Sequence, residues 1–185
     1  MCLGRQEGMM TWQEMIMDIF DRIAAQLAQV LEDLTPEELN QQPTPDTNPI
    51  GWLAWHLTRS NDRNMSELMG LEQLWISGNW YARFNRAPDP AETGYGFTLE
   101  EVAAFTSPDA LTIMEYHRAV LDRIRQFIGN DLSEMMLEEE SYSPTFQRSS
   151  PVYRTITGVI NDGLQHVGQA AYVRGLLQGF GWMNR

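Results

Sequence analysis

Apolar residues recur at helical spacing over four long stretches of the chain. In TWQEMIMDIFDRIAAQLAQVLEDL, Trp12, Ile16, Ile19, Ile23, Leu27, Val30 and Leu34 mark one stripe. Thr11 reads as its N-cap and Glu14 occupies the capping-box position. Prolines in the connector TPEELNQQPTPDTNP then break the pattern. A second helix is predicted with Asn48 as cap, Pro49 as first residue and Gly70 as its stop. Ile50, Leu53, Leu57 and Leu68 form its buried face, with His56 at the edge. The third covers SPDALTIMEYHRAVLDRIRQFIG, opened by Ser107 and Pro108 and closed by Gly129. The fourth runs from near Pro151 to about Gln178.

Two connections are long. Leu71 to Pro108 holds a short apolar piece, a Gly/Pro/Asn-rich stretch and a capped turn, TLEEVAAF. Crossovers longer than about 15 residues are uncommon in compact domains and are often functional. Asn130 to Ser150 contains the acidic run LEEESYSP and could cover a cleft. No strand alternation, internal repeat or low-complexity tract stands out. The expectation is an all-α, four-helix bundle with long crossover connections, a single domain over residues 1–185.

The fourth helix breaks its own pattern. At 100° per residue, Val159, Asp162, His166, Ala170, Val173 and Leu177 share one stripe, so a carboxylate and an imidazole face the interior. A buried carboxylate without a partner is costly. Side chains four apart on a helix present two ligands to one ion, and a facing helix must supply a third. His56, inside an aromatic and apolar segment, and His117, beside Glu115 and Arg118, are the candidates; His117 reads as a surface residue. The plainer alternative is that Asp162 and His166 bond only each other across one helical turn. Arg59 and Arg63 follow His56 by about one and two turns and could hold substrate carboxylates. Gln169 and Tyr172 stand where they could support His166. Each of the four could equally be an ordinary surface or packing residue.

Charge and composition narrow the setting. Net charge is -12 and every basic residue is arginine. That balance argues against nucleic-acid binding and against anionic membranes, and the absence of lysine removes Schiff-base and P-loop chemistry. The single cysteine, Cys2, cannot form an internal disulfide, and the opening MCLGRQEGMM lacks a signal-peptide core, so a cytoplasmic location is expected. No apolar run reaches the roughly 20 residues of a membrane-spanning helix. Exposed-looking aromatics in NWYARFN permit a homodimer, although the sequence does not fix the oligomeric state.

The phrases NPIGWLAWHLTRSNDR and DGLQHVGQAAYVRG resemble those of the DinB-like superfamily of four-helix-bundle proteins. There the second helix carries one metal-ligand His. The last helix carries two more ligands, four apart, often followed by Gly-Gln and a Tyr-x-Arg-Gly phrase. The resemblance covers nearly the whole chain and implies His56, Asp162 and His166 as metal ligands. Many members have His where this chain has Asp162, whereas the related mycothiol-dependent maleylpyruvate isomerases have a carboxylate, usually Glu.

A set of two His and one carboxylate suits zinc first, with nickel, iron and manganese as alternatives. Three protein ligands leave an open position, as catalytic sites do. The resemblance implies a divalent-metal-dependent enzyme, a small-thiol S-transferase or isomerase. Its partners would be a thiol such as mycothiol, bacillithiol or glutathione, and an electrophilic substrate. Its alternatives are a metal-dependent hydrolase and a non-catalytic metal-binding or stress-related protein of the same fold.

Overall fold

The computed structural model describes residues 9–179 and 181–184, so Cys2 lies outside the described residues. In chain order the helices are α1 (Trp12–Leu31), α2 (Pro36–Asn40), α3 (Ile50–Met69), α4 (Leu74–Ser77), α5 (Trp80–Arg83), α6 (Leu99–Ala104) and α7 (Ala110–Gln126). A hairpin of β1 (Glu140–Ser143) and β2 (Arg148–Pro151) follows, and then α8 (Val152–Gln178). The four long helices α1, α3, α7 and α8 form the bundle, each packing against two of the others. Among the described residues no helix is long and apolar enough to cross a membrane.

Local signals account for most ends. Thr11 and Glu14 cap each other's backbone N–H groups at α1, so both halves of the capping box are made. Gly70 ends α3 at φ 65°, a left-handed conformation open to glycine at little cost. Two predicted starts shift. Pro49, not Asn48, is the cap of α3 and no side chain caps it. At α7 Asp109 replaces Ser107 as the cap, because its carboxylate reaches the Thr112 N–H at 2.7 Å. Ser107 is occupied elsewhere, its N–H donating to Asn40 Oδ1 at 2.8 Å. Gly129 does not stop the third helix either. The chain passes into a π-helical turn, Phe127–Asp131, which buries Phe127 and Ile128.

α3 is central. From Ile50 to Arg63 every residue is buried, including Thr58, Arg59, Ser60, Asn61 and Asp62. Burial of this much polar surface requires partners, and the long crossover supplies them. Asp62 accepts the N–H groups of Leu74 and Trp75 at 2.9 and 2.7 Å and the Tyr116 hydroxyl at 2.7 Å. Arg59 donates to the Glu92 and Pro90 carbonyls at 2.9 and 3.1 Å and to Gln73 Oε1 at 2.9 Å, with its guanidinium 4.6 Å from the Trp75 ring centroid. These contacts tie residues 73–92 to the bundle.

The same crossover overturns the reading of NWYARFN. Phe84 is buried, and Trp80 and Tyr81 are half-buried against the core, with the Trp80 ring tilted against Tyr116 at a centroid distance of 5.2 Å. That segment therefore gives no ground for a dimer. The one small sheet among the described residues is this hairpin, which fits the expectation of a mostly helical chain with little strand. Its strands are antiparallel, pairing Ser141 with Ser150 and Tyr142 with Ser149. Four-residue strands rich in serine leave too little alternation to read.

Candidate metal centre

Three side chains converge where α3 faces α8. Ligand atoms of His56, Asp162 and His166 all lie within 4.8 Å of one another. His56 is buried, while Asp162 and His166 are half-buried. The last two sit at the edge of the bundle rather than inside the core their stripe suggested. Asp162 Oδ1 is 3.3 Å from His166 Nε2, and the His56 and His166 rings meet edge-on with centroids 4.6 Å apart. Trp52, one turn before His56, stacks on it at 4.7 Å and fixes the ring plane.

Each imidazole is oriented by an acceptor on its Nδ1. His56 Nδ1 lies 2.5 Å from the Thr93 carbonyl oxygen. A carbonyl only accepts, so Nδ1 carries the proton and Nε2 keeps its lone pair. His166 Nδ1 lies 2.7 Å from Gln169 Oε1, which likewise leaves Nε2 free to ligate. Gln169 thus holds the position beside His166 that its spacing suggested.

The site fits a cation by its charges as well as its geometry. Asp162 Oδ2 is buried and accepts no hydrogen bond among the described residues. A carboxylate oxygen withdrawn from water without a donor needs a positive charge beside it. Burial alone would raise the Asp162 carboxyl. Hydrogen bonding to His166 and to the Ser60 hydroxyl outweighs that, as do the nearby imidazole charges, so it is held below its usual value. Burial pushes the His56 imidazole down, against the Thr93 hydrogen bond. Burial works the same way on His166, but the hydrogen bond and charge of Asp162 win, and His166 is raised. The group is therefore two oriented nitrogens and one ionised oxygen, a donor set that suits a divalent ion.

Other predicted residues scatter. Arg63 lines a cavity of about 830 Å³ that opens beside His56 and Asp162. Arg59 does not; it is fully buried and its donors are spent on the crossover and on Asp62, which removes it from substrate contact. Tyr172 is 70% exposed and does not line the cavity. His117 is 2% exposed rather than superficial, and stays far from a ligand's role. Its Nδ1 lies 3.1 Å from Thr58 Oγ1, itself committed as a donor to the Ala54 carbonyl. Burial, with the charge of Arg118, lowers the His117 pKa to about 4.

Three contributors were missed by the sequence reading. The Thr93 carbonyl is a backbone atom 37 residues from His56, and no side-chain pattern announces it. Arg148 lines the cavity from a hairpin the sequence did not reveal. Arg154 had a signal, since it precedes Asp162 by two turns on the same face of α8.

Comparison with known proteins agrees with this architecture. A conserved protein from Enterococcus faecalis of known crystal structure superposes with a TM-score of 0.81 at 25% identity, over 92% of this chain and 99% of that one. No curated protein matches the chain. The sequence profile of the DinB superfamily matches residues 19–170, a span that contains His56, Asp162 and His166, all of α3 and α7, and α1 and α8 without the first turns of α1 and the last turns of α8. The chain belongs to the DinB superfamily.

Proposed function

We propose that the chain is a divalent-metal-dependent enzyme that joins a small thiol to an electrophilic substrate, or isomerises the substrate through that thiol. His56, Asp162 and His166 would hold the metal, with zinc as the first choice and nickel, iron or manganese as substitutes. The observation that carries this reading is the pairing of a three-ligand cluster with an adjacent cavity of about 830 Å³. A closed structural site would spend a fourth protein ligand; this cluster has three and room beside it.

When bound, a divalent ion supplies an open coordination position and the Lewis acidity that lowers the pKa of a thiol or water placed there. The rest is the work of the chain. The Thr93 carbonyl and Gln169 Oε1 hold the two imidazoles in the ligating tautomer. Asp162 contributes the negative charge that balances the cation. Trp52 and the bundle core shield His56 from solvent, which strengthens each charge interaction at the site. The cavity holds the substrate against this corner, so that the reacting groups meet at high effective concentration.

The test begins with protein purified without added metal and assayed for thiol consumption with a panel of small thiols and electrophiles. It is then treated with chelator and reloaded with zinc. The reading predicts turnover that disappears with the metal and returns with it. Full metal occupancy without turnover for any thiol would leave a metal-binding protein and remove the transferase.

A further inference from the structure

The cavity is cationic in an acidic protein. The chain carries 25 acidic residues against 13 arginines. Five arginines elsewhere, Arg22, Arg59, Arg83, Arg86 and Arg125, form ion pairs with carboxylates. Among the described residues Arg63, Arg148 and Arg154, which line the cavity, form none, and neither do Arg118 and Arg123 outside it. Arg63 is 8% exposed, donates one hydrogen bond, to Thr93 Oγ1 at 3.3 Å, and has a buried Nε with no acceptor. Burial draws its guanidinium below the usual value. The charges of Glu67 and Asp162 act on this guanidinium from a distance, but among the described residues no carboxylate pairs with it directly, and its buried Nε is left without an acceptor.

The geometry gathers the three. The guanidinium carbons of Arg63 and Arg148 each lie 5.6 Å from the Phe146 ring centroid, which brings α3 and the hairpin to one point. Arg154 sits in the first turn of α8, a helix of 27 residues whose Pro151 cap offers no side-chain acceptor. The N-terminal turn of a helix carries partial positive charge and favours an anion. Glu67 is the acidic residue on this wall, and its carboxylate is occupied by the Ser143 hydroxyl at 2.7 Å and by Thr145. Arg63 follows His56 by seven residues and Arg154 precedes Asp162 by eight, on helices whose ends bring both toward the hairpin. At 1.5 Å per residue the cationic wall is about 10–12 Å from the metal corner.

We infer that the substrate is a bipolar molecule whose compact oxyanion, a carboxylate or a phosphate, is held by Arg63, Arg148 and Arg154 while its reactive end reaches His56 and Asp162. The second half of that statement rests on the metal-centre reading above; the anion subsite does not. Guanidinium forks match the planar edge of either oxyanion and donate two hydrogen bonds at once.

Succinate, inorganic phosphate and uncharged succinamide are titrated calorimetrically into the full chain, once chelator-treated and once zinc-loaded. At least one of the two anions should bind in both states, and succinamide in neither; the tighter anion identifies the oxyanion. Arg148→Gln and Arg154→Gln, both at exposed positions, should leave the circular dichroism spectrum unchanged. Each should weaken anion binding about tenfold or more. Absence of binding by both anions overturns the inference. So does binding that ignores both substitutions, or that occurs only with zinc, since the anion is then a ligand of the metal. If zinc fails to bind while anion affinity still depends on the two arginines, the metal-centre reading falls and the anion subsite stands.

Discussion

His56 Nδ1 and the Thr93 carbonyl oxygen, 2.5 Å apart, join the central helix to the long crossover and set the tautomer of a candidate metal ligand. The next residue, Gly94, makes this approach feasible. Its φ is 87°, and a Cβ there would lie 2.7 Å from Trp52 Cζ2 and 2.9 Å from Trp55 Cζ3. Gly94→Ala should therefore cost about 1–3 kcal/mol of stability through strain and overpacking. By displacing Thr93 it should also lower zinc affinity about tenfold or more. Denaturant melts and a zinc titration of the same variant read the two effects.

Gln169 is exposed and, among the described residues, meets the site through His166 Nδ1. Gln169→Leu should weaken zinc binding about tenfold or more, as loss of an outer partner does. The metal-free melting temperature should barely move. A variant with parental zinc affinity would show that Gln169 does not orient His166.

Asp62 and Arg59 should behave as structural residues. Asp62 is 1% exposed and collects hydrogen bonds from Leu74, Trp75, Ser66 and Tyr116. Tyr116 is raised well above its usual pKa, first by burial and then by the Asp62 charge, so it stays protonated and donates. Asp62→Ala leaves Arg59 buried without its carboxylate and should cost about 3–5 kcal/mol. Zinc content per folded molecule should stay at the parental value, measured by elemental analysis after size exclusion.

His117 should give the protein a pH slope of its own. Its pKa is lowered to about 4 in the fold, against about 6.5 unfolded. The unfolded chain therefore binds the proton first as pH falls. Stability contributed by neutral His117 is complete above about pH 6.5 and is lost as pH drops toward 4, on the order of 3 kcal/mol over that window. His117→Gln removes this slope from metal-free protein and leaves zinc stoichiometry unchanged. A slope that survives the substitution would assign it to other groups.

Metal affinity should itself fall with acidity. His166 is raised above its ordinary value by Asp162, so protons compete for this ligand from above pH 6.5 downward. Zinc titrations between pH 8 and 6 should show binding weaken as pH falls, with proton release on binding. Affinity that stays flat across this range would argue that His166 is not displaced from its proton by the metal.

The long helices were legible because apolar residues recur at helical spacing along α1, α3, α7 and α8, and because Thr11 and Gly70 have strong local preferences. The candidate cluster was legible for a related reason: Asp162 and His166 interrupt that period on one face, and the two helical phrases carried the resemblance that added His56. What escaped depends on contacts distant in sequence. Arg59 and His117 look like surface residues until the crossover and the neighbouring helix cover them. The hairpin that walls the cavity has strands too short and too serine-rich to alternate. The Thr93 carbonyl leaves no mark in the sequence at all.

The central claim is that His56, Asp162 and His166 hold one divalent ion. Its most direct test is a calorimetric zinc titration of metal-free protein, run for the parent and for Asp162→Asn, which keeps the side chain's size and removes its charge. The parent should bind one zinc per chain, with Asp162→Asn binding far more weakly and His166→Ala not at all. A parent that takes up no zinc, or an Asp162→Asn variant with parental affinity and stoichiometry, would contradict the account and leave Asp162 and His166 as partners only of each other.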